Sequence, residues 1–109
     1  MTKYDGKTPV LEDEKMRALG FTDHVDTRWY FCRRVDKQGD TTLNISIEKD
    51  SGLYTECVMS EAFGQPEPYG HMKPEFRDLI RDTVDFHLSE LNKAGLTLAV
   101  DHKAYGCAD

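Results

Sequence analysis

Along residues 41–49 apolar and polar positions alternate without a break. Leu43, Ile45 and Ile47 stand against Thr42, Asn44, Ser46 and Glu48, a period of two that predicts a half-buried β-strand. Arg28–Val35 (RWYFCRRV) precedes it, rich in aromatic residues that favour strands, and Lys37-Gln38-Gly39-Asp40 has the composition of a turn between the two. Asp50-Ser51-Gly52 carries the polar start and the glycine of a three-residue hairpin loop, so a third strand is expected over Leu53–Met59. With that loop, Ile47, Ile45 and Leu43 lie opposite Thr55, Cys57 and Met59, which makes Cys57 a core residue. Trp29 and Phe31 are expected on the same buried face, leaving Tyr30, Cys32 and Arg34 on the other. Tyr54, Glu56 and Val58 join that open face, and Cys32 and Cys57 point to opposite faces.

From Pro74 the period changes to that of a helix. Phe76, Leu79, Ile80, Thr83, Val84, His87, Leu88 and Leu91 fall on one face, with Arg77, Asp78, Arg81, Asp82, Asp85 and Glu90 mostly on the other. Pro74 suits the first helical position, where its missing N–H costs nothing, and Gly95 suits the end. Leu11–Leu19 (LEDEKMRAL), acidic early and basic late with Gly20 behind it, predicts a short N-terminal helix. Leu96–Asp101 (LTLAVD) reads as a short strand at the sheet edge, whereas residues 1–10 and 103–109 lack periodicity and read as mobile ends. The expected fold is a single α+β domain in the order α-β-β-β-α. Its antiparallel sheet has three strands, or four with the edge segment, packed against one long C-terminal helix.

A chain of 109 residues with 39% hydrophobic and 31% charged positions has the makeup of one globular domain. No apolar run approaches the ~20 residues needed to cross a bilayer, and the first residues lack the apolar stretch of a signal peptide. A cytoplasmic location follows as an expectation, with no membrane partner. Three cysteines, an odd number without CxxC spacing, fit reduced thiols in that compartment. The net charge of −6 disfavours wholesale attraction to nucleic acid, although Arg28, Arg33, Arg34 and Lys37 make one strand region basic.

The element order, with LGF ending the first helix, WYFCRR in the first strand and KPEFRDLI opening the last helix, resembles small uncharacterised α+β proteins of Gram-positive bacteria and their phages. That resemblance implies a fold and brings no activity with it. The same order is also similar to the double-stranded RNA-binding domain. Here, however, KPEFRDLIRD stands where such domains carry a lysine-rich helix start for phosphate, and its charges nearly cancel.

His24, His71, His87 and His102 are scattered and form no HxxxH, HExxH or CxxC-associated pattern, so no metal or cofactor is expected. No phosphate-binding glycine loop, dinucleotide fingerprint or serine elbow is present, which leaves enzyme chemistry as the less favoured reading. The candidate binding residues are Tyr30, Arg34 and Tyr54 on the open sheet face and Arg33 of the same basic strand, together with Phe63, Tyr69 and His71 in the long 60–73 connection. Connections of that length are uncommon unless they bind something or cover a core. The first expectation is a nonenzymatic interaction or regulatory protein that binds another protein or its own copy, a class that includes phage-type inhibitors. A nucleic-acid module using the basic first strand is the alternative, and a small enzyme with a pocket under the 60–73 loop comes third.

Overall fold

A computed structural model describes residues 4–24, 26–37 and 40–108. In chain order the elements are β1 (Gly6–Lys7), α1 (Asp13–Ala18), β2 (Arg28–Arg34), β3 (Thr41–Glu48), β4 (Leu53–Ser60), β5 (Gln65–Pro66) and α2 (Pro74–Lys93). Two 3-10 turns, Tyr69–His71 and His102–Tyr105, flank α2 in sequence. The sheet is antiparallel with spatial order β1-β4-β3-β2, and β5 joins the outer edge of β4 beside β1. The α+β architecture read from the periodicities is therefore the one observed, with its three long strands in place and two short strands added. The expected turn at residues 37–40 lies partly outside the described residues.

Strand β2 follows the expected pleat. Trp29 and Phe31 sit opposite Ile47 and Ile45 and are buried with them. Ile80, Val84, Leu88 and Leu91 of α2 enter the same core, as their helical spacing requires. Met16 of α1 and Phe21 close it at one end, and the Phe21 and Phe31 ring centroids are 5.2 Å apart. Phe76, expected in this core, is instead 39% exposed.

The second hairpin departs from expectation by one residue. Four residues, Lys49–Gly52, separate β3 from β4, and the Gly52 N–H donates to the Glu48 carbonyl at 2.9 Å with Gly52 at φ +76°. Only glycine fits there. A Cβ on Gly52 would lie 2.1 Å from the carbonyl oxygen of Thr8, which belongs to the N-terminal segment packed over the turn. Leu43 thus pairs with Val58, Ile45 with Glu56 and Ile47 with Tyr54. Every side chain of β4 changes face relative to the three-residue loop. Tyr54, Glu56 and Val58 turn toward the helix side, while Cys57 and Met59 leave the core for the open face.

Cys32 and Cys57 consequently share a face, with Asn44 of β3 between them in the ladder. Two strand spacings separate their backbones by about 9.5 Å, beyond the ~7 Å Cα limit for a disulfide.

Both ends of the chain are tied to β4. Gly6 and Lys7 pair with Tyr54 and Leu53, in a stretch whose composition had suggested a loose arm. Residues 96–101 run extended without joining the ladder. Three of their amides go to side chains instead: Thr97 N–H to Thr8 Oγ1 (2.7 Å), Leu98 N–H to Asn92 Oδ1 (2.8 Å) and Ala99 N–H to the Tyr54 hydroxyl (3.2 Å). Beyond them Tyr105 and Cys107 are buried, so the segment read as a mobile tail is part of the packed structure. Aromatic burial outweighs the polar composition that suggested otherwise.

Candidate functional site

Residues 60–73 leave the end of β4, make the short β5 pairing and return to the start of α2. Their backbone is pinned at several points: Glu61 N–H to Asp40 O (2.7 Å), Gly64 N–H to Ser60 O (2.8 Å) and Glu67 N–H to Val58 O (2.9 Å). The Thr42 hydroxyl donates to Glu61 at 2.5 Å. Between this loop and the first turns of α2 lies a groove of about 330 Å³, with apolar walls from Phe63, Met72, Phe76, Leu79 and Ile80. The buried hydroxyl residues Thr41 and Ser60 also line it, and Asp36, Asp40 and Glu67 stand around it. A hollow of about 210 Å³ continues along Phe76 and Leu79 past Lys37 and Glu75. Phe63 is 77% exposed on this ordered loop, which is unusual for a ring of that size.

The loop is held from behind by the C-terminal segment. Tyr69, fully buried, stacks on Tyr105 with ring centroids 5.2 Å apart, and its hydroxyl donates to His102 Nδ1. His102 Nε2 in turn donates to Asp85 of α2 at 2.7 Å, which fixes the imidazole tautomer when the ring is neutral. Gly70 meets the backbone of Gly106 and Cys107 so closely that a Cβ would lie 2.1 Å from the Gly106 carbonyl carbon.

Tyr105 then reaches the outer edge of β4. Its hydroxyl accepts from the Val58 N–H at 3.0 Å and donates to the Glu56 carboxylate at 3.1 Å. Burial pushes the Glu56 carboxyl up to about 7; the nearby Asp5 and Asp101 add to this, and the Tyr105 hydrogen bond partly offsets it. Burial likewise raises the hydroxyl pKa values of Tyr69 and Tyr105, which suits hydrogen bonding and not nucleophilic use.

The open sheet face carries a second hollow of about 380 Å³, where His24 stacks on Tyr30 at 4.7 Å above Cys32, Asn44, Ser46, Thr55, Cys57 and Met59. The basic residues do not gather there. Arg28 contacts Ser46 at 3.3 Å and Glu48 at 3.4 Å, and Arg34 lies exposed on the open face. Arg33 is on the opposite face, its guanidinium 4.7 Å from the Phe31 ring centroid. His87, on the same side as Phe31, has its pKa lowered by burial and by Arg33.

The candidate residues named from sequence therefore do not gather in one site, and Arg33 lies on the face opposite Arg34. Tyr30 and Arg34 are on the open face. Tyr54 is buried on the helix side, because of the four-residue hairpin loop, and Tyr69 is buried behind the 60–73 loop. Phe63 and His71 are exposed on that loop, with His71 turned toward Gly106. Asp36, Asp40 and Glu67 were not singled out from sequence, since only the fold brings them to one groove. Among the described residues no group of three or more His, Cys, Asp or Glu side chains gathers to hold a metal ion. No helix is long and apolar enough to cross a membrane.

No family model and no curated protein matches this chain. Among solved structures it is similar to the crystal structure of a DUF1831 family protein from Lactobacillus plantarum, at 16% identity. The match covers 84% of this chain and 82% of that one with a TM-score of 0.68. The likeness is one of fold, to a protein of a Gram-positive bacterium; it carries no link to phages.

Proposed function

We propose that the chain is a nonenzymatic interaction protein whose groove under the 60–73 loop receives an apolar anchor from a protein partner. The observation that carries this reading is Phe63, 77% exposed at the mouth of an apolar groove on a loop whose backbone is hydrogen-bonded in place. Rings held in water beside a preformed hollow are the usual anchors of protein interfaces, because they bury large area with little rotamer entropy to lose. Asp40 and Glu67 around the groove favour basic residues next to the anchor. The nucleic-acid alternative draws less support, because Arg28 faces Glu48 and Arg33 lies on the opposite side of the sheet from Arg34. Reduced thiols and a cytoplasmic setting belong to the same proposal.

The test is selection from a random peptide display library with the native chain and with Phe63→Ala, a change at an exposed site that spares the core. Peptides with one bulky apolar residue flanked by Lys or Arg should be enriched by the native chain and lose at least tenfold in affinity with the variant. Enrichment indifferent to Phe63 would overturn the proposal.

A further inference from the structure

The apolar surface does not stop at the groove. Phe76, Leu79, Thr83 and Phe86 recur at three- and four-residue steps along α2, so they share one flank within roughly 80° of arc and extend about 15 Å along the axis. Phe76 and Leu79 line the groove, the Thr83 hydroxyl is occupied by the Leu79 carbonyl at 2.7 Å, and Phe86 is 61% exposed. Core packing accounts for Ile80, Val84, Leu88 and Leu91, which face elsewhere; it leaves Phe86 without a purpose. Phe76 and Leu79 wall the groove with Phe63, and Thr83 and Phe86 carry the same flank on to a length of about three helical turns.

We infer that the partner segment is an amphipathic basic helix, lying along this flank of α2 with its leading apolar residue in the groove beside Phe63. The inference rests on the proposed function and specifies the partner. A helix is the element whose own apolar residues repeat at the spacing of Phe76, Leu79, Thr83 and Phe86, so ridges and grooves interlock along the whole stripe; an extended strand, with its period of two, does not match it. Charge selects a basic partner. Asp40 and Glu67 lie around the groove, Glu75 beside the adjoining hollow and Glu90 one turn beyond Phe86, while Asp82 is paired with Arg81 at 3.7 Å; Lys37 and Lys93 oppose them. The net charge of −6 acts in the same sense at longer range.

The test uses two display libraries of equal length, one randomised on a helix-forming Ala/Lys framework and one with a central proline that forbids a continuous helix. Each is selected against the native chain, Phe63→Ser and Phe86→Ser, with circular dichroism and urea midpoints establishing that the variants fold. The expected result is binders from the helical library alone, weakened at least tenfold by either substitution and weakened further by added salt. Binders from the proline library that need Phe63 and ignore Phe86 would overturn the helix and leave the groove reading intact. Binders from neither library, or binders indifferent to Phe63, would overturn both. A native dimer that Phe86→Ser dissociates in sedimentation would assign the flank to a second copy and overturn the basic helix.

Discussion

Replacing Glu56 by Gln isolates the cost of a carboxylate held against the sheet edge. In the folded chain this group titrates near 7 against an ordinary value of 4.5, because burial, Asp5 and Asp101 oppose its charge. A raised carboxyl pKa means that the folded state keeps a proton the unfolded state has released. The Glu56 contribution to folding stability therefore falls as pH rises from 4.5 to about 7 and is flat outside that window. The full shift corresponds to an upper limit of about 3.4 kcal/mol at ~1.4 kcal/mol per unit. Glu56 is only partly buried, so solvent screening reduces this to about 1–2 kcal/mol. Gln keeps an oxygen to accept from the Tyr105 hydroxyl and cannot ionise. The variant should match the native chain at pH 4 and exceed it by that amount at pH 8, a melting-temperature gain of ~4–8 °C per kcal/mol for a domain of this size. Thermal melts of both proteins at the two pH values decide it. An offset that is the same at pH 4 and pH 8 would show that Glu56 carries no buried charge penalty.

Ile45→Ala and Leu88→Ala each remove a core side chain and should cost about 2–5 kcal/mol, read as a lowered urea midpoint. Gly70→Ala forces a Cβ into the Gly106 backbone and should lower stability by about 1–3 kcal/mol, with faster proteolysis of the 60–73 loop as a second readout. Alkylation of the denatured, unreduced chain should label all three cysteines; in the native chain exposed Cys32 should react first and buried Cys107 last. Fluorescence anisotropy with labelled DNA or RNA at near-physiological salt should give no affinity tighter than the ~1–100 µM of nonspecific contact, and a nanomolar affinity abolished by neutralising Arg33 and Arg34 would promote the nucleic-acid reading.

Elements whose apolar periodicity is unbroken could be read from sequence. Strand β3 and helix α2 each bury one face against the same core, so pattern and fold coincide. Strand β4 could not, because LYTECVMS is mixed in both registers: one buries Tyr54, Glu56 and Val58, the other Leu53, Thr55, Cys57 and Met59. A buried Glu argues locally against the register that occurs. What makes that register tolerable is Tyr105, 49 residues along the chain, whose hydroxyl reaches the carboxylate. Phe63 was recognisable as a candidate from its place in a long loop. The acids around it and the use of Tyr69 as a buried prop depend on contacts between distant segments, which local periodicity does not encode.

The Tyr105 hydroxyl on the Val58 N–H also has a consequence for synthesis in the cell. Strands β3 and β4 form a local hairpin, an event of ~1–10 µs once the segment is free. β1 and β5 cover the two ends of the outer edge of β4, and the side chain that closes it between them, at Val58, lies 47 residues further on. At translation speeds of roughly 5–20 residues per second, the Val58 N–H waits about 2–10 s for that partner, some five to seven orders of magnitude longer than the hairpin needs. Neighbouring nascent chains on one messenger pass through the same interval with the same edge donor unpaired.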